Sequence, residues 1–158
     1  MYKLFIYKPI GGTMNNTEIL KFSRSIFLLY ERATSQVLEK TGLSQLELDI
    51  LAFLHNNPEM DTASHIIEYR MLPKANVSQA VDSLTRKGLV VSRRDDSDRR
   101  RFHLTPTEAA APIIEKVLDA QRVFRDLMFA DFSESERALY NSMTMRISEN
   151  AKKQLEKK

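Results

Sequence analysis

A mainly α fold carrying one two-stranded β ribbon is what this sequence predicts, and three observations predict it. Apolar residues recur at three- and four-residue steps through most of the chain. Only 4 Gly and 5 Pro occur among 158 residues, with 28% charged, which fits a mostly helical protein and argues against disorder. A β-prone pattern stands at residues 89–91 and 102–104, and Asp95, Asp96, Ser97 and Asp98 supply the turn chemistry between its halves.

The first helix is expected from Thr17 to about Lys40, where Ile19, Phe22, Ile26, Leu29, Ala33 and Val37 form one apolar stripe. Gly42 ends it. Ser44 with Glu47 forms a capping box that starts a second helix at about Gln45. Leu46, Leu48, Ile50, Leu51, Phe53 and Leu54 make that helix apolar nearly all round, so it is expected inside the fold, and Asn56, Asn57 and Pro58 stop it. A short third helix runs from Thr62 to about Arg70, with Ala63, Ile66 and Ile67 inward. Met71, Leu72 and Pro73 then turn the chain, because proline prevents the third helix from running on into the fourth.

Residues 72–105 are the stretch around which the chain is organised. Val77, Ala80, Val81 and Leu84 share one face of a fourth helix, while Asn76, Ser78, Gln79, Asp82 and Arg86 lie elsewhere around it. Gly88, after Arg86 and Lys87, suits a left-handed residue that ends the helix. Leu89, Val90 and Val91 open the ribbon, and Phe102 and Leu104 alternate with His103 on its return. The combination reads as a winged helix-turn-helix: a polar-faced helix fits the major groove of DNA, and an arginine-tipped ribbon reaches a flanking minor groove. The formal net charge is only +3, so this reading rests on where the Lys and Arg lie, with seven of the 24 clustered at residues 86–101, and not on their excess.

DRRRFHLT at 98–105, preceded by RKGLV at 86–90, resembles the multiple-antibiotic-resistance regulator (MarR) family of bacterial transcription factors. Asp98, Arg100, Leu104 and Thr105 carry the resemblance. It implies a winged helix-turn-helix with long N- and C-terminal dimerisation helices and a two-stranded β wing. It also implies effector binding between the dimer base and the DNA-binding lobe, and it selects Arg100 as the wing arginine at DNA. Two positions depart from the family pattern. Pro73 stands where many members place a Ser or Thr that caps the recognition helix, and Ala109, Ala110 and Ala111 replace a common glycine, from which a straighter helix start is expected.

After the wing, Thr105, Pro106 and Glu108 combine an N-cap, a first-turn proline and a capping-box acid, so a fifth helix is expected from there to about Phe129. Ser133 with Glu136 starts a sixth, in which Leu139, Met143, Ile147, Ala151 and Leu155 recur every four residues; the final EKK should fray. The expected organisation is an N-terminal extension (1–13) before a second candidate start at Met14, a dimerisation helix (14–43), a DNA-binding lobe (44–105) and C-terminal dimerisation helices (106–158). The first and last helices are read as lying outside the lobe, so that their stripes need a partner, and a homodimer would match an inverted-repeat operator.

Chemistry of other kinds finds no residues. There is no Cys, which excludes disulfides, thiolate nucleophiles and cysteine-based oxidant sensing. His55, His65 and His103 are widely separated, each read as a surface or partly buried polar residue, and no metal site is expected. No nucleophile with a base, paired-carboxylate site or phosphate loop is present, so no enzyme and no cofactor is expected. No apolar run approaches the ~20 residues that span a bilayer, and MYKLFIYKPIGG is too short and mixed for a signal-peptide core. A cytoplasmic location, away from membranes, is expected.

The residues assigned to DNA are Lys74, Asn76, Ser78 and Gln79 on the recognition helix, and Arg94, Asp98, Arg99, Arg100 and Arg101 on the wing. Strand alternation is expected to send the three successive arginines to opposite faces, and Asp98 to orient Arg100 through a charge-assisted pair. Phe22, Phe27, Tyr30, Phe53 and Phe124 are candidates for a pocket holding a small aromatic or anionic effector, against ordinary core packing as the plainer reading. The leading reading is a dimeric repressor of transcription that binds double-stranded DNA and is released by a small molecule. Alternatives are an activating or metal-responsive regulator of the same fold, or a winged-helix module whose basic hairpin binds an acidic protein.

Overall fold

The computed structural model describes residues 15–155. The extension at 1–13, the candidate start at Met14 and the last three residues lie outside the described residues. The elements follow the order α1 (Asn16–Thr41), α2 (Gln45–Asn56), α3 (Ala63–Arg70), α4 (Lys74–Arg86), β1 (Val90–Arg94), β2 (Phe102–Pro106), a 3-10 turn (Glu108–Ala110), α5 (Ala111–Met128) and α6 (Glu134–Leu155). Caps set most of the boundaries. Asn15 with Glu18 and Ser44 with Glu47 each form a reciprocal capping box, and Thr62 accepts from the His65 amide at the start of α3. Gly42 closes α1 in the left-handed conformation, at φ 64°.

The chain divides into two compact units, one up to Gln121 and one from Arg122. In the first, α2 is the centre: every residue from Glu47 through Leu54 is buried. Ile66 of α3, Val77, Ala80 and Leu84 of α4, Val90 and Leu104 of the ribbon, and Ile114, Val117 and Ala120 of α5 belong to the same core. The strands pair antiparallel with Val91 opposite Thr105, Ser92 opposite Leu104 and Arg93 opposite His103. In the second unit, the Phe129 ring meets those of Phe132 and Tyr140 edge-on, and Arg137 donates to the carbonyls of Phe129 and Phe132. Ser133 and Glu136 form the expected box at the start of α6.

Three expectations are corrected. The fifth helix does not start from Thr105: β2 continues through Pro106, which pairs with Val90, so Thr105 is held in the ladder. Thr107 takes the N-cap position instead, its hydroxyl donating to the Gly88 carbonyl at 2.7 Å. The alanines do not give a straighter start either, since a 3-10 turn precedes α5. Nor does the first helix lie wholly outside the lobe: Thr34 and Val37 are buried, and Val37 joins the core. Only its N-terminal half leaves large apolar residues exposed, namely Ile19, Leu20, Phe22, Phe27 and Leu28.

Leu84 is fully buried where α4 meets α2 and the ribbon. Leu84→Ala removes most of that side chain and leaves a cavity, at an expected cost of about 2–5 kcal/mol. Urea unfolding monitored by circular dichroism checks the magnitude.

Candidate nucleic-acid interface

The face that α4 turns away from the core carries Lys74, Asn76, Ser78 and Gln79, all exposed, while Val77, Ala80 and Leu84 hold the opposite side. Pro73 occupies the N-cap position without a side-chain hydrogen bond, as its missing acceptor requires. Asn76, Gln79, Ala80 and Ser83 line a cavity of about 300 Å³ with Ser44, Leu46 and Glu47 from the start of α2.

Two buried carboxylates on α2 fix the neighbouring helices. Glu47 accepts from Lys87 Nζ at 2.7 Å, just past the end of α4, and from the Ser44 amide at 2.6 Å. Burial pushes the Glu47 pKa up, but hydrogen bonds from Lys87, Ser83 and Ser44 outweigh it and hold the carboxyl at about 2. Asp49 accepts from Arg70 at 2.7 Å, from the Tyr30 hydroxyl at 2.8 Å and from the Gln45 amide at 2.9 Å. Burial and the Asp49 charge push the Tyr30 phenol up to about 12, so Tyr30 remains a donor.

In the wing, Asp98 organises two of the three successive arginines. Its Oδ1 accepts from the Arg100 amide at 3.0 Å and from Arg100 Nε at 3.3 Å, and its Oδ2 lies 3.9 Å from Arg101 Nε. The side chains of Arg100 and Arg101 nevertheless remain 92% and 70% exposed. Arg94 folds back on the ribbon, donating to the Arg99 carbonyl at 2.9 Å with its guanidinium 5.6 Å from the centre of the Phe102 ring. The expected alternation of Arg99, Arg100 and Arg101 is corrected, because β2 begins only at Phe102 and these residues belong to the turn. Pairing with Asp98 orients Arg100 and Arg101 in its place.

His103, one of three widely separated histidines in the sequence, is paired twice by the fold. Its Nδ1 lies 2.8 Å from Asp61 Oδ2 and its Nε2 lies 2.7 Å from Asp95 Oδ2. Asp95 also accepts from the amides of Ser97 and Asp98. The hairpin register could have suggested the contact with Asp95; nothing local signals Asp61, which lies 42 positions away.

The aromatic candidates for an effector site differ in their surroundings. Phe22 and Phe27 lie on the exposed half of α1, Tyr30 bonds to Asp49, and Phe53 is buried with its ring 5.4 Å from that of Tyr69. Phe124 falls in the unit from Arg122. Among the described residues no group of three or more His, Asp or Glu is arranged to hold a metal ion, and no helix is long and apolar enough to cross a membrane.

An antiparallel ribbon beside a helix-turn-helix pair packed on a buried central helix defines a winged helix-turn-helix protein. Residues 41–101 match the MarR family model. The chain is 25% identical over 127 residues to the HTH-type transcriptional regulator PecS of Dickeya dadantii, covering 79% of this chain and 76% of PecS. Two solved structures share the fold. A MarR family regulator from Listeria monocytogenes complexed with a 26mer DNA superposes with TM-score 0.74 at 14% identity, over 88% of this chain and 89% of that one. BpsR of Bordetella bronchiseptica, whose DNA binding is regulated by 6-hydroxynicotinic acid, gives TM-score 0.67 at 15% identity, over 82% and 98%. Over residues 41–101 the chain is thus similar to the MarR family of transcriptional regulators, and it shares the fold of those solved structures.

The Glu47–Lys87 pair has a predictable pH signature. A carboxyl held below its ordinary value of 4.5 contributes stability that is present above that value and lost as pH falls through about 2. Lys87→Met should destabilise the protein at neutral pH by about 1–3 kcal/mol, and the deficit should shrink in acid once the unpaired Glu47 protonates. Urea unfolding of both proteins across the acid range measures it.

Proposed function

We propose that this regulator is a sequence-specific repressor that binds an inverted-repeat operator as a homodimer, with α4 in the major groove and the wing at a flanking minor groove. One observation carries the reading: Asp98 holds Arg100 and Arg101 by hydrogen bond and charge while leaving both guanidinium groups open to solvent. Such pre-orientation lowers the side-chain entropy lost when an arginine docks. The exposed Asn76 and Gln79 supply amides able to pair bidentately with adenine, and Lys74 and Ser78 suit contacts to base edges or phosphate. Arg99 adds cationic charge, and Arg94 braces the ribbon from within. The Listeria relative's complex with DNA supports the same use of the fold.

A second copy of the chain is the partner this reading assigns to the terminal helices. Leu139, Met143, Ile147 and Leu155 are all exposed, and α6 has no buried residue within one chain. Such a stripe needs cover. Release by a small aromatic or anionic effector is the further part of the proposal, supported by the response of BpsR to 6-hydroxynicotinic acid.

A gel-shift assay with duplex DNA from upstream of the protein's own gene tests the reading, which requires retardation that unrelated DNA does not compete away. Two wing variants sharpen it. Arg100→Ala should weaken binding to every operator and reduce the salt slope by about one. Asp98→Ala should also weaken binding despite its added positive charge, and a tighter complex at physiological salt would show that the arginines are merely a charge patch. Separately, Ile147 is 68% exposed in one chain, and Ile147→Glu would bury an unpaired carboxylate in the dimer at a cost of several kcal/mol. Sedimentation should then show monomer or unfolded chain; a folded, intact dimer would contradict the interface.

A further inference from the structure

We propose that His103 is a positioning residue of the wing: its ring, protonated and bridging Asp61 and Asp95, holds the arginine-bearing turn in place, so that DNA binding is coupled to one proton. The inference rests on the DNA-binding reading above.

Both ring nitrogens of His103 face carboxylate oxygens, at 2.8 and 2.7 Å. A neutral imidazole has one donor and one acceptor and satisfies only one such contact, whereas the imidazolium donates to both. Each of the two acidic residues is also held by contacts other than that to the ring. Asp61 adjoins Thr62, the N-cap of α3, and its carbonyl accepts from the Leu104 amide at 2.7 Å. Asp95 is the hub of the turn: Oδ1 accepts from the Ser97 amide and hydroxyl and from the Asp98 amide, while its own amide donates to the Arg101 carbonyl at 3.0 Å. Asp98, held by Asp95, is the residue that holds Arg100. A continuous chain of contacts therefore runs from the start of α3 through His103 to the exposed arginines.

Loss of the proton leaves a ring lone pair against a carboxylate oxygen at hydrogen-bond distance. One partner must withdraw. Asp61 is tied to α3, whereas Asp95 belongs to a turn held largely by side chains, so the turn is the part that yields. The charged groups around the ring are Asp61, Asp95 and Arg93, its cross-strand partner. Asp95 first and Asp61 second raise the His103 pKa above its ordinary 6.5. The clamp is thus complete below that value and is lost as pH rises through the raised one. The hydrogen bond from His103, with those from Ser97 and Asp98, holds the Asp95 carboxyl well below its usual range, so the clamp also persists in mild acid.

Two measurements test this. Proton NMR of the free protein should show the His103 ring titrating above its ordinary value, and lower in Asp61→Asn than in the parent. Fluorescence anisotropy with duplex DNA from upstream of the gene, at constant ionic strength from roughly pH 6 to roughly pH 9, should show affinity falling by up to about tenfold per pH unit above that midpoint. His103→Gln should bind more weakly at the acid end, with this dependence abolished, and Asp61→Asn should move the fall to lower pH. Calorimetry in buffers of different ionisation enthalpy should find proton uptake on DNA binding by the parent and none by His103→Gln. Identical pH profiles for parent and His103→Gln, or a ring titrating at or below its ordinary value while DNA still binds, would overturn the coupling alone. A duplex bound specifically at no pH would overturn the DNA-binding reading and the coupling with it.

Discussion

Burial of α2 on every side is the constraint from which the DNA-binding lobe follows. A helix enclosed between Glu47 and Leu54 cannot leave its two acidic residues unpaired without a large desolvation cost. Each is met by a cation from the end of another helix: Lys87 just beyond α4 reaches Glu47, and Arg70 in the last turn of α3 reaches Asp49. The apolar core supplies the driving force, and these two directional contacts fix where α3 and α4 terminate against α2. The polar face of α4 is set by that docking.

The wing is ordered by a different means. Its strands span only Val90–Arg94 and Phe102–Pro106, and a two-stranded ribbon of that length is marginal by itself. Leu104 and Val90 pin its base to the core. The turn beyond has no apolar anchor, and three carboxylates give it shape: Asp95 closes the turn, Asp98 arranges two arginines, and Asp61 meets His103 from outside the ribbon. An excess of arginine at the tip is thereby made compatible with a defined conformation, since like charges in a short turn repel unless anions are interleaved with them.

The two ends of the chain differ in how far one copy completes them. α1 buries Thr34 and Val37 in its C-terminal half and exposes Phe22 and Phe27 in its N-terminal half, whereas α6 has no buried residue. Thr34 shows the transition well: fully buried, its hydroxyl shares hydrogen bonds with the carbonyls of Tyr30 and Glu31 and with Gln45 of α2. From that point toward the C-terminus α1 serves the core, and before it the helix offers an apolar surface.

The sequence by itself determined the six helices, the ribbon and nearly every helix boundary, because those signals act between residues three or four positions apart. Ser44 with Glu47, Ser133 with Glu136, Pro73 and Gly42 do the same work in any chain that places them there. It also marked Asp98 and Arg100 as partners, two positions apart in a turn. Tertiary structure decided the rest. Thr107 displaced Thr105 as the helix cap because the strand ladder kept Thr105 paired with Val91, a cross-strand competition that a local capping pattern does not contain. Lys87 found Glu47 across 40 positions, Arg70 found Asp49 across 21, and His103 found Asp61 across 42. Each of those residues looks alike in sequence whether it is solvated or paired. Only the packing of α2 and the register of the ribbon bring their charges within hydrogen-bond reach, which is why these long-range pairs are not legible in the sequence.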